Sequence, residues 1–210
     1  MANDDTITAR GGLLPVEYPF GNFRKNLYRL TTSAVGVYIG QPMDMDTNGQ
    51  AVPASVSTAN TLILGSVVGF ADDVRGGPSL PAGMLDLTQG AYLPENTNAY
   101  VLIADDPNQL FTIQEVDSGT ALTTANIGAQ AHFKYEGASS GSTITGYSNA
   151  ELNTATAGAT NGSSGALQIV KLQDIKNSDG TWNELGGNAK WTVRISNHRL
   201  GGQGVASSAV

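Results

Sequence analysis

The stretch Tyr100–Glu115, YVLIADDPNQLFTIQE, sets two adjacent carboxylates, Asp105 and Asp106, between apolar runs. Paired acids of this kind suggest a general acid and base, or a site for a hard cation. The geometry of extended chain argues against both. Consecutive strand residues point to opposite faces, so neighbouring carboxylates do not converge on one atom. Glycosidase chemistry also needs a second acid on another element, about 5 to 9 Å away, and nothing in the pattern supplies it. Asp and Asn readily bond their own backbone and Pro suits the second turn position, so Asp105-Asp106-Pro107-Asn108 reads as a corner between two strands. Asp72-Asp73 reads the same way. Asp44–Gly49, DMDTNG, has part of the alternating oxygen pattern of a calcium loop, but Ser55 stands where the bidentate Glu of the twelfth position belongs.

The remaining reactive residue types are as sparse. His132 and His198 are the only histidines and belong to no spaced metal pattern. No serine sits in a nucleophile-elbow context, TNGSSGALQ included. The pairs Gly11-Gly12, Gly76-Gly77, Gly186-Gly187 and Gly201-Gly202 do not lie between a strand and a helix, so no phosphate-cradling loop is indicated. Cysteine is absent, which excludes disulfides, thiolate catalysis and zinc-thiolate sites. A net charge of −7 disfavours nucleic acid as a partner. Trp182 and Trp191 are expected as core or interface anchors. The expectation is a protein without catalytic residues, metal or cofactor, and with a binding or structural role.

The elements that would position any site are strands. Charged residues are only 14% of the chain, hydrophobic residues 40%, and there are 26 glycines, a composition suited to turn-rich β structure rather than helical bundles. Strand signals fall in SAVGVYIGQPM, AYVLIADD, LFTIQEV, ALQIVKLQD and KWTVRISNH. TLILGSVVGFADD is apolar on both faces, as a central strand would be. GAQAHFKYEG alternates, with Ala129, Ala131, Phe133 and Tyr135 on one face. In LFTIQEV, Phe111, Ile113 and Val116 are expected inward, Thr112 and Gln114 outward; Trp191, Val193 and Ile195 are expected inward on the last strand. SGTALTTANIG has room for one helical turn. The prediction is a single all-β domain, an antiparallel sandwich or barrel of jelly-roll type.

Three segments stand apart from this body. Residues 1–30 carry Leu13, Leu14, Tyr18, Phe20, Phe23 and Tyr28, along with Arg24, Lys25 and Arg29, without sustained periodicity. This reads as an extended N-terminal arm, laid on its own domain or on a neighbouring subunit. Residues 31–200 form the β-domain, in which 138–165, nearly charge-free and rich in Ser, Thr, Asn and Gly, is expected as a long exposed loop or hairpin. Residues 201–210 read as a flexible tail. The acidic start lacks the charge and apolar core of a secretory signal, and no run is long enough to cross a bilayer, so neither export nor membrane association is expected.

Taken in order, ILGSVVGFADD, AYVLIADDPNQLFTIQEVDSGTALTTANIGAQAHF, YSNAELNTATA and LQIVKL with NAKWTVRISNHRLG resemble the capsid cement, or decoration, proteins of tailed bacteriophages. The likeness runs from about Ile63 to Gly201. It implies a non-enzymatic structural protein, made in the host cytoplasm and placed on the outer capsid surface of the virion. There it would bind the major capsid protein of an HK97-type lattice as a homotrimer or homodimer at local symmetry axes, stabilising the expanded head. The arm residues Leu13, Leu14, Tyr18, Phe20, Phe23, Arg24, Lys25, Tyr28 and Arg29 are then the expected contacts. A receptor- or glycan-binding virion module, resting on the Ser/Thr/Asn loop, is the alternative.

Overall fold

A computed structural model describes residues 11–17, 24–31, 35–55, 61–72, 92–96, 99–117, 120–136, 140–156, 165–177 and 180–201. These form thirteen strands, all paired antiparallel, in sheets that do not close into a barrel. Six strands make one sheet in the order β1 (Leu14–Glu17), β9 (Leu110–Gln114), β13 (Lys190–Ile195), β12 (Leu167–Leu172), β10 (Gln130–Tyr135) and β11 (Ala150–Asn153). Five make a second, ordered β2 (Lys25–Arg29), β8 (Ala99–Ala104), β6 (Gly65–Asp72), β4 (Pro42–Met45) and β5 (Ala51–Pro53). The short strands β3 (Val37–Tyr38) and β7 (Tyr92–Leu93) pair separately, with the rings of Tyr38 and Tyr92 stacked 5.4 Å apart. The architecture is that of a β-sandwich.

Alternation along the strands builds two cores. In the first, Phe111, Ile113, Phe133, Leu167, Ile169, Trp191 and Val193 from the six-stranded sheet meet Ile63 and Ala104 from the other side. Each such side chain, fully removed from water, contributes on the order of 1.5–3 kcal/mol before chain entropy is counted. The second core gathers Val67, Val101 and Ile103 of the five-stranded sheet with Leu30, Val37, Met43 and Leu64. β6 lies between them as its two-faced sequence requires: Val67 faces one core and Val68 packs against the other. A bulge between Val67 and Gly69 shifts the register with β8 midway along the strand.

The expected boundary at residue 30 does not divide the fold. β1 is an edge strand of the six-stranded sheet and β2 an edge strand of the five-stranded one, so the described parts of the arm belong to the body. Leu13 is fully buried in the first core, its amide donating to Gly40 O at 2.7 Å and its carbonyl accepting from Ser66 Oγ. The backbones approach so closely here that a Cβ on Gly12 would lie 2.4 Å from Gly40 O, and one on Gly40 1.9 Å from Gly11 O. That contact, with positive φ at both residues, explains Gly12 and Gly40. Periodicity failed in this segment because four or five residues of edge strand are too few to show one.

The segment expected as a long exposed loop or hairpin over 138–165 has a turn closed by the antiparallel bridge of Gly141 with Ser148, followed by a strand. Ala150–Asn153 pairs with β10 as β11, burying Leu152, and Ile39 bridges Tyr147. Gln114, expected outward, is buried with its Nε2 donating to Asn188 Oδ1 at 3.0 Å. The single turn expected near residue 124 is the 3₁₀ turn Thr124–Asn126. The tail 202–210 lies outside the described residues.

Candidate docking surface

The acids that opened the sequence question part ways in the structure. Asp105 and Asp106 stand where β8 leaves one sheet and β9 enters the other, so the corner joins two sheets. Asp106 closes it, Oδ1 accepting from the amide of Asn108 at 2.8 Å and the carbonyl from that of Gln109 at 3.0 Å. Asp106→Ala is therefore expected to cost about 1 kcal/mol, the usual loss for a short side-chain bond to a backbone amide, read as a small shift of the urea midpoint. Asp105 turns inward and is fully buried. Its carboxylate accepts from Arg24 Nε at 3.0 Å, Asn26 Nδ2 at 2.8 Å and Tyr28 Oη at 2.5 Å. Burial and then the bond to Asp105 push the Tyr28 hydroxyl up to about 12, so it stays a donor at every relevant pH.

Three further acids have equally local duties. Asp46 accepts from the amides of Asn48 and Gln50, both at 2.8 Å, and from Thr31 Oγ1 at 2.9 Å. The backbone bond from Gln50 leads in holding its carboxyl below the usual range. Asp44 takes both arms of Arg199, at 2.8 and 2.7 Å, pinning the segment after β13 to β4. The partial calcium-loop pattern is thus an Asp-stabilised turn beside an ion pair. Glu115, which sequence reading passed over, is fully buried against Trp191 Nε1 at 2.8 Å.

Of the residues expected to reach a partner, Tyr18, Phe20 and Phe23 lie outside the described residues. Leu13 is core, Leu14 is half-buried on β1, Tyr28 packs against the second core, and Arg24 is engaged with Asp105. Lys25 and Arg29 are exposed on β2, together with Leu27, 51% exposed on an edge strand.

Further exposed apolar side chains come from the described parts of the link between β12 and β13, 173–177 and 180–189. Residues 173–189 expose Ile175, Trp182 and Leu185, Trp182 to 56%. The Trp ring is not loose. Lys176 and Trp182 form an antiparallel bridge, and Lys176 Nζ sits 5.3 Å from the ring centroid. Asn183, buried beneath, ties the ends of the link together: Nδ2 donates to Gln173 O at 2.7 Å and Lys190 O at 2.8 Å, and Oδ1 accepts from the Lys190 amide at 2.8 Å. A second apolar point is Ile144, 93% exposed at the tip of a turn closed by bonds between Ser142 and both Gly146 and Tyr147. Trp182 is an exposed anchor on a braced loop, whereas Trp191 is core. Spacing does not separate two Trp residues nine apart; the Gly- and Asn-rich surroundings of Trp182 were the available signal.

Such a surface suits protein contact. Large aromatic side chains held in one conformation lose little entropy on binding and carry most of the energy at interfaces. Comparison of the chain with protein-family models, with curated proteins and with solved structures finds no match.

Proposed function

We propose that this chain is a non-enzymatic structural protein of a tailed-phage virion, binding the outer surface of an HK97-type capsid as a homotrimer or homodimer and stabilising the expanded head. The sequence resemblance points to this class. The observation that supports it here is the exposed Trp182 on a braced hairpin, an apolar side chain available for contact on a body in which Asp44, Asp46, Asp105, Asp106 and Glu115 serve turns and internal bonds. A ligand that binds only the assembled, expanded lattice lowers the free energy of that state at every occupied site. A modest contact, repeated over the shell, becomes a large stabilisation. The role assigned to the arm moves accordingly to the 173–189 loop, with Leu27 and Ile144 as further contacts.

Co-sedimentation with purified heads tests the reading. The full-length protein is expected to saturate expanded heads at a fixed ratio to the major capsid protein and to bind unexpanded heads far less. Trp182→Ala should weaken binding by about 2 kcal/mol or more, roughly thirtyfold, since truncating a central Trp anchor has that scale of effect. Its urea midpoint should stay unchanged, the ring being largely outside the core. Equal pelleting of wild type and variant would remove the loop from the account, and no pelleting of wild type would remove the function.

A further inference from the structure

The six-stranded sheet buries Phe111, Ile113, Phe133, Leu167, Ile169 and Val193 on one face. Alternation turns the intervening residues of β9, β10, β12 and β13 the other way. Strand register sets them side by side: Gln130 lies opposite Gln168, Gln168 opposite Arg194, Lys171 opposite Thr192 and Lys190 opposite Gln114. Among the described residues this outward face carries Lys134, Lys171, Lys190 and Arg194, and no acid.

A face that was merely solvated would carry both signs, and acids more often, since the chain has 18 Asp and Glu against 11 Lys and Arg. Here the signs are segregated. Lys134 pairs with Glu136, just past β10, at 3.2 Å. Lys171, Lys190 and Arg194 surround Thr192: the first is its cross-strand neighbour, and the other two stand two residues to either side of it on β13. Cross-strand diagonals of this kind set like charges about 7–8 Å apart at the backbone, close enough to repel. Lys171 and Arg194 are exposed and Lys190 is half-buried. Lys171 and Lys190 also border the link that carries Trp182, the Gln173 amide donating to Lys190 O at 2.9 Å. The cations thus flank exposed apolar side chains, as a polar rim flanks the centre of an interface.

We propose that this face steers the chain onto an acidic protein surface of the shell, Lys171 and Lys190 meeting partner carboxylates beside the contact of Trp182. The identity of the partner rests on the capsid reading; its charge rests on the face itself. Charges at the rim of an interface act mainly on the rate of encounter, whereas a buried contact acts on the lifetime of the complex. DNA fits less well. The outward residues include no Phe, Tyr or Trp on which bases could stack, and a chain with a net charge of −7 repels a densely charged polymer.

The association rate of the full chain with purified expanded heads tests it. Wild type should associate about tenfold more slowly at roughly 500 mM NaCl than at roughly 50 mM, as the face is screened. The pair Lys171→Gln and Lys190→Gln should lose about tenfold at the lower salt and match wild type at the higher. Lys171→Arg with Lys190→Arg keeps the charge and should associate as wild type does. Thr47→Glu with Asn48→Glu makes the same change in net charge on an exposed turn of the other sheet, and should slow association less than about twofold. A wild-type rate indifferent to salt, or equal slowing by the two pairs of matched net charge, would overturn the face while leaving head binding in place. Saturable binding of duplex DNA that the Gln pair abolishes would assign the face to nucleic acid and overturn it too. Heads that fail to bind wild type at any salt would remove the capsid reading and this one together.

Discussion

Asp105→Ala is expected to lower the stability of the fold by about 3 kcal/mol, some threefold more than the same change one residue later. Asp106 loses bonds at a solvated turn. Asp105 is a fully buried carboxylate holding three donors on or next to β2, so its removal strands Asn26 and Tyr28 without their acceptor and frees Arg24. Hydrogen bonds to a charged group contribute about 1.5–3 kcal/mol each; the cost of keeping the carboxylate from water offsets part of that sum. Arg24 is half-exposed and regains water when released, which keeps the loss from rising higher. Because domains are stable by only about 5–15 kcal/mol, the urea midpoint should fall visibly, and amide exchange should quicken first along β2. Equal midpoints for Asp105→Ala and Asp106→Ala would refute the buried anchor and restore a simple turn.

Glu115 should make the fold less stable as pH rises from about 4.5 to 7. Burial pushes its carboxyl from 4.5 up to about 7, against the smaller opposing pull of the bonds from Trp191 and the Leu122 amide. The Trp191 indole and the Leu122 amide both donate to Oε2; among the described residues Oε1 has no partner. With the folded value raised above the unfolded one, the stabilising contribution is complete below about pH 4.5, declines between 4.5 and 7, and is lost above. The gap corresponds to about 3 kcal/mol at roughly 1.4 kcal/mol per pH unit. Glu115→Gln keeps an acceptor for Trp191 and removes the charge. It should therefore unfold at a higher urea concentration than wild type at pH 8, by up to about 3 kcal/mol, and near parity at pH 4.5. A difference between the two proteins that does not vary with pH would contradict the buried, neutral Glu115.

Strands with strong hydrophobic patterns were legible in the sequence. β6, β8, β9, β10, β12 and β13 all lie where apolar runs or alternation placed them, and Phe111, Phe133, Trp191 and Val193 are inside as expected. β1, β2 and β11 were not, because each is short, lies at a sheet edge and offers few apolar side chains. The corner at Asp106 was readable from local turn chemistry. The anchoring role of Asp105 was not, since its partners lie 77 to 81 residues away and only the pairing of β2 with β8 brings them near. The braced loop fell between these cases, with Trp182 named as a possible anchor and its exposure set only by the folding of residues 173–189 around Asn183.

Two physical levels thus carry the account of the molecule. Internally, buried polar anchors such as Asp105 and Asn183 fix edges and links that apolar packing alone would leave free. Externally, the bonds of Asn183 brace the backbone that presents Trp182, and with it the apolar contact proposed for the capsid, at the surface. The heat stability of expanded heads tests that claim most directly. Heads saturated with wild-type protein should release their DNA at a higher temperature than bare heads, and heads mixed with an equal concentration of Trp182→Ala should show only a small part of that rise. An unchanged release temperature with wild type bound, or an equal rise with the variant, would contradict it.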